Sequence, residues 1–357
     1  MSTLFSHPAS VAKVVAAAAV AAAGTRRGRI AIAALAGLVT SALVVRRLSR
    51  AAERRHPPSG SFIEVDGVRL HYREQGQGEP LVLLHGNGSL AEDFEISGLV
   101  QRAAARYRVI VFDRPGYGYS ERPAGRLWGP QAQAELLLQA LAALDVQRPI
   151  VLGHSWGSQV ALQMGLLQPE ALRSLVLMSG YYFPTPRLDV PVLATPAIPL
   201  LGTLLRHTVS PLLSRLLWPA MTRRMFAPGS VTPAFRARFP RGLALRPGAL
   251  QASAAESAMM IPAAALSRGR HRELQVPSVL VAGLDDRHVN SRCQSARLHE
   301  ELPLSRLHLA PGAGHMVHHV ATDEVLAAID EAAALAARPA SQREGSAPRG
   351  LQAASAS

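Results

Sequence analysis

A chain of 357 residues with 48% apolar and 18% charged content holds material for one large domain or two average ones, which excludes a wholly disordered protein. Its single cysteine, Cys293, excludes an intramolecular disulfide framework, and no Cys/His run has metal-ligand spacing. The net charge of +13 sits in two stretches, residues 1–57 with nine Lys or Arg against Glu53 alone, and residues 184–272 with twelve Arg against Asp189 and Glu256. Basic stretches that are also apolar, with no aromatic stacking platform, suit an anionic membrane surface and argue against nucleic acid as a partner.

Two uncharged apolar runs open the chain, Val14 to Gly24 and Ile30 to Val45, and "RRLSRAAERR" follows the second. Sixteen residues fall short of the roughly 20 that span a bilayer, a gap that snorkelling Arg46 and Arg47 and local thinning would close. The run meets these arginines without a small-residue cleavage site. Residues 1–57 are therefore expected to be a membrane anchor plus linker, with a cleaved targeting segment and a soluble helix as the competing readings. More positive charge follows Val45 than precedes Ile30, which places the next domain on the cytoplasmic side of an inner membrane. "RHPPSGS" at 55–61 reads as the linker.

From 58 to 183 short apolar runs alternate with helical patterns. "FIEV" and "VRLHYRE" form a hairpin turned at Asp66 and Gly67. "PLVLLHG", "YRVIVFD", "PIVLGHS" and "LRSLVLMSG" are continuous apolar runs of the kind buried parallel strands show, and helices are expected at 131–145 and 158–172. The alternation stops for 184–272, a proline-punctuated, Leu- and Arg-rich helical stretch. It resumes over 273–337 with "VPSVLVAG", a helix in "SRCQSARLHEEL", "SRLHLAPGAG" and a closing helix. The last stretch, 338–357, is polar and rich in small residues, as a disordered tail is. The whole is an α/β sheet interrupted by a helical insertion.

In such a sheet the working residues gather beyond the carboxyl ends of the strands. Ser155 in "VLGHSWGSQVAL" lies there, between an apolar strand and a helix, with Gly153 and Gly157 leaving room for a strained turn that lifts its hydroxyl clear. The competing reading is a serine that merely caps a helix. A nucleophile needs a base, and the base an orienting acid. "GLDDRHVN" offers Asp285 and Asp286 at the end of a late strand, and "APGAGHMVHHV" offers His315, His318 and His319, with His315 on the glycine-rich loop.

The order Ser, Asp, His and four motifs together resemble the α/β-hydrolase family over about 62–336. These are "GHSWG", the His-Gly loop "LLHGNGS", "FDRPGYGYSERP", and the acid turn "GLDDRHVN". The third is similar to the subgroup of epoxide hydrolases, haloalkane dehalogenases, cofactor-free haloperoxidases and C–C bond hydrolases. The resemblance implies a mostly parallel eight-stranded sheet with helices on both faces and a helical cap at 184–272. It implies Ser155 as nucleophile, His315 as base and Asp286, three residues after the glycine, as acid, with Asp285 kept as the alternative. The backbone N–H groups of Asn87 and Trp156 would form the oxyanion hole. A serine where dehalogenases carry aspartate points to an acyl-enzyme. The expected activity is hydrolysis of an apolar acyl ester, carboxylesterase- or lipase-like, with no cofactor or metal. A haloperoxidase or C–C hydrolase using the same triad, and a catalytically silent binding protein, are the alternatives.

By the same pattern His85 braces the oxyanion loop, Asp113 and Arg114 tie loops together, and His154 is structural. The Trp156 ring either lines an acyl pocket or packs in the core. His318 and His319 are read as solvated or structural, and Cys293 as a buried small residue. Asn290 stands where the family usually has proline, a change expected only to alter a loop. The cap is expected to be a helical subdomain with solvated arginines or a lid resting on anionic lipid.

Overall fold

The computed structural model describes residues 25–338. The apolar run at 14–24 and nearly all of the predicted tail lie outside that range. Eight strands, β1 (Ser61–Val65), β2 (Val68–Gln75), β3 (Glu79–Leu84), β4 (Tyr107–Phe112), β5 (Ile150–His154), β6 (Ser174–Met178), β7 (Ser278–Gly283) and β8 (Ser305–Ala310), form one sheet in the order 1-2-4-3-5-6-7-8. The β1–β2 and β2–β4 pairs are antiparallel and every other pair is parallel.

The β1–β2 turn is made by Asp66 and Gly67, both at positive φ, as a tight hairpin requires. In the central strands side chains alternate between two cores, with Val82 and Leu84 packing on one face of the sheet and Leu81 and Leu83 on the other. Both faces are covered, which explains why these strands read as unbroken apolar runs.

Six longer helices complete the frame: α1 (Arg26–Arg55), α2 (Pro130–Ala143), α3 (Trp156–Leu167), α4 (Ser210–Phe226), α5 (Pro247–Ser267) and α6 (Thr322–Ala337). Helix α3 starts directly after Ser155 and stops at Leu167, short of the predicted 172, because Pro169 follows in a separate 3-10 turn. The predicted helix at 291–302 is a π-turn (292–296) running into a short α-helix (297–301). After β4 the chain crosses over β3 to reach β5, so the crevice between the carboxyl ends of β3 and β5 is where a site is expected.

Two features of the ends add to the sequence reading. Helix α1 does not stop at Arg46 and Arg47 but runs unbroken for 30 residues, since arginine is a good helix former. Its second half is docked on the cap. Val45 and Ala52 are buried, the Ser41 hydroxyl donates to the Thr208 carbonyl at 2.9 Å, and Glu53 pairs with Arg246 at 2.9 Å. The predicted linker is tied down too. The Ser59 carbonyl accepts from the Arg73 Nε–H at 3.1 Å and faces His71 Nε2 at 2.8 Å, and the Tyr119 hydroxyl donates to the His56 carbonyl. The first half of α1 keeps Ile30, Leu35 and Val39 exposed, as is Leu43 just beyond it, and the cap displays Leu188, Leu200 and Leu216.

Candidate active site

Ser155 sits between β5 and α3 at φ 53° and ψ −115°, a conformation costly for a side-chain-bearing residue. Two glycines make it affordable. A Cβ on Gly153 would lie 2.2 Å from the Gly157 carbonyl, and one on Gly157 would lie 2.1 Å from the Leu84 carbonyl. The loop after β3 also passes close, for a Cβ on Gly86 would lie 3.1 Å from that of Ser155. These contacts bring the His-Gly loop and the serine turn together at the crevice.

Asp286 and His315 meet across the ends of β7 and β8. The Asp286 carboxylate accepts from His315 Nδ1 at 2.8 Å through Oδ2, and Oδ1 accepts from the backbone N–H groups of His288 and Val289 at 2.7 and 2.9 Å. With Nδ1–H directed at the acid, His315 Nε2 is left as a free base. Burial pushes the Asp286 carboxyl upward, but the adjacent His315 and the two N–H donors outweigh it and hold the group below the ordinary carboxylate value. Asp285 lies outside this arrangement. It is solvent-facing and accepts from the Gly312 N–H at 2.8 Å, so the two neighbours that spacing could not separate have different partners. His288 packs its ring 4.8 Å from that of His315, and burial together with His315 and Arg187 lowers its pKa to about 3, so it adds no charge there.

Around the His-Gly loop a buried polar network fixes backbone directions. Arg114 is fully buried and donates to the His85 carbonyl at 2.7 Å and the Gly86 carbonyl at 3.0 Å. His85 accepts from the Arg114 N–H at Nε2, which makes Nδ1 the donor to the Gly86 carbonyl at 2.8 Å, and burial lowers its pKa to about 4. Two donors on the Gly86 oxygen fix the plane of the Gly86–Asn87 peptide, and with it the direction of the Asn87 N–H. Neither the Asn87 nor the Trp156 N–H donates to another group among the described residues. The Asn87 side chain donates to the Ser253 carbonyl and the Ser257 hydroxyl on α5, at 3.2 and 3.0 Å, and its Oδ1 lies 3.0 Å from the Tyr117 hydroxyl oxygen.

The network closes through Glu256, which sequence reasoning passed over. On the cap helix α5 it takes both guanidinium nitrogens of Arg114 at 2.5 and 3.1 Å, the Tyr117 hydroxyl at 2.8 Å and the Gln133 amide at 3.0 Å. Its being one of two carboxylates in 184–272 was the available signal. Glu256→Ala would leave a buried guanidinium without its carboxylate. It is expected to lower the unfolding free energy by about 3–5 kcal/mol, read from the urea midpoint; an unchanged midpoint would show that the pair carries no stability.

Several side chains fall differently from expectation. His318 and His319 are not solvated. Their Nε2 atoms lie 3.1 and 2.7 Å from the two oxygens of buried Asp93, which also accepts from the Ser89 hydroxyl at 2.9 Å. This cluster ties the loop carrying His315 to the helix after the His-Gly loop. Cys293 is exposed rather than buried, its N–H capped by the Asn290 side chain at 3.0 Å, the use found for Asn290. The Trp156 ring is packed in the core beneath the sheet's crevice. His154 is buried with Nε2 3.1 Å from the His315 carbonyl, bracing the base loop, and Asp113 accepts from the Ala91 and Tyr119 N–H groups.

The family model described as alpha/beta hydrolase fold matches residues 79–322. A 2-hydroxymuconate semialdehyde hydrolase of Pseudomonas sp. (strain CF600) is 32% identical over 213 residues, 56% of this chain and 75% of that protein. A protein of the same name from Pseudomonas putida is 35% identical over 135 residues, 37% of this chain and 48% of its own, so the chain spans about half its length in that match. Among solved structures, a membrane phospholipase A described as a bacterial virulence factor superposes with a TM-score of 0.59 at 20% identity, over 85% of this chain and 96% of that one.

Proposed function

We propose, on the premise that this chain belongs to the alpha/beta hydrolase fold family, that it is a membrane-associated serine hydrolase cleaving an apolar acyl ester. The observation that carries the reading is the strained Ser155 turn, whose neighbour His154 reaches the carbonyl of His315, the partner of Asp286, together with two unengaged backbone N–H groups. In the proposed reaction Ser155 Oγ attacks the acyl carbon while His315 Nε2 takes its proton. The tetrahedral oxyanion is met by the N–H groups of Asn87 and Trp156. His315 returns the proton to the leaving oxygen, and the acyl-enzyme is hydrolysed by water activated in the same way.

Support for an apolar ester comes from the surroundings. Arg114 is wholly engaged by Glu256 and two carbonyls, and Arg187 by Asp189, so neither is open to a substrate carboxylate. Helix α1 has the length and apolar character of a membrane span, and it is docked on a cap that displays leucines. The solved structure described as a membrane phospholipase A shares the fold.

A second reading, C–C bond hydrolysis with the same residues, is favoured by the relatives described as 2-hydroxymuconate semialdehyde hydrolases. A panel of p-nitrophenyl esters, run beside 2-hydroxymuconate semialdehyde, separates the two. Rates rising from acetate to medium-chain esters are expected. No turnover of any ester with turnover of the semialdehyde would replace the first reading by the second.

A further inference from the structure

Between the inner half of α1 and the cap lies a cavity of about 700 Å³ that the proposed chemistry does not use. Five arginines line it: Arg55 from α1, Arg215 and Arg223 from α4, and Arg236 and Arg241 from the segment that follows. None of its lining residues is Asp or Glu. Glu53, the one carboxylate in residues 1–57, is already held by Arg246. The Nε of Arg215 is buried without a partner, and burial and the neighbouring Arg241 both disfavour its charged form. Arg215 and Arg241 act on one another directly, and cations so placed repel unless an anion joins them.

The rest of the lining says what kind of anion fits. Trp218 stacks on Phe239 at 5.4 Å and Phe239 on Phe235 at 4.6 Å, giving the cavity an aromatic floor. A small inorganic anion would leave that floor uncovered. Guanidinium forks match phosphate oxygens in pairs. Depth agrees, because Leu48, Ala51 and Arg55 line the cavity three to ten residues past Val45, the last apolar residue of the run. At 1.5 Å per residue that is roughly 5–15 Å, the level at which a headgroup layer begins.

We propose that this cavity binds the phosphate of an anionic phospholipid, its arginines taking the phosphate oxygens and its aromatic floor lying along the first acyl carbons. The membrane reading above supplies only the source of the phosphate. Bound there, the lipid joins α1 to the cap through charge as well as packing. Phe235 also reaches the ring of His319 at 5.4 Å, so the site stands one side chain from the Asp93 cluster behind the base loop.

The full chain in neutral detergent micelles is titrated with dihexanoyl phosphatidylglycerol, dihexanoyl phosphatidylcholine or inorganic phosphate, and the melting temperature followed. Phosphatidylglycerol is expected to raise it saturably and far beyond the other two. In Arg215→Gln/Arg241→Gln the ligand-free melting temperature should hold or rise, since a repulsion is removed, and phosphatidylglycerol affinity should fall at least about tenfold. Arg224→Gln, an exposed residue outside the cavity, should leave both unchanged.

If the double variant does not fold, Arg236→Gln alone should weaken the lipid at least about threefold. Equal shifts with phosphatidylcholine, equal shifts with inorganic phosphate, or undiminished binding by the folded variants would each overturn the proposal. Recovery of the chain in the soluble cell fraction would overturn the membrane reading instead. The micelle titration still decides the site in that case.

Discussion

Ser155→Ala is expected to lower kcat for a medium-chain p-nitrophenyl ester by about 10⁶-fold while leaving the melting temperature close to that of the wild type. The hydroxyl is the only atom lost, and the turn that carries it is held by Gly153, Gly157 and the strand ends rather than by the side chain. Residual catalysis of roughly 10³-fold over water should survive, because the Asn87 and Trp156 N–H groups and the binding surface are untouched. Adding His315→Ala to Ser155→Ala should cost almost nothing more, since the two act as one unit. A fluorophosphonate probe should label the wild type and not the variant. A variant that keeps even one-tenth of the wild-type rate would remove Ser155 from the mechanism.

Asp286→Asn carries the second large effect, about 10⁴-fold in kcat, because an amide at that position disturbs the tautomer that leaves Nε2 free. Asp285→Asn, whose carboxylate serves the Gly312 N–H on the surface, should stay within about threefold of wild type. The pair of measurements assigns the acid, and reversal of the two would transfer the role to Asp285. A stability signature accompanies the rate. The folded state holds the Asp286 carboxyl below its ordinary value, so its stabilisation is complete above the unfolded value of about 4 and fades as pH falls through the lowered one. Asp286→Asn should therefore flatten part of the acid limb of the stability profile, measured by urea unfolding between about pH 2 and 5.

Much of the fold was legible because it rests on periodicity. Buried parallel strands such as Leu81–Leu84 and Ile150–Leu152 are apolar on both faces and announce themselves as unbroken runs. The turns that carry Ser155, Asp286 and His315 were legible for a related reason, each following its own strand with distinctive glycines. What was illegible depends on partners far away in sequence. Glu256 and Arg114 are 142 residues apart, and Asp93 and His319 are 226 apart, so no local pattern marks either cluster. Cys293 followed its capped turn to the surface rather than the general habit of cysteines. The continuation of α1 past Arg47 is another such case, because the surface that buries Val45 and Ala52 is supplied by residues of the cap.

The grip of α5 on Asn87 and Arg114 sets that helix apart from the rest of the cap. Lifting α5 would expose a buried guanidinium and release the peptide that aims the Asn87 N–H, so that helix works as a doorpost. The exposed Leu188, Leu200 and Leu216 lie elsewhere, in residues 188–226, the part of the cap that meets α1 through the Ser41–Thr208 hydrogen bond. Whatever covers those leucines, the doorpost keeps the Asn87 peptide in register with the serine turn beside it.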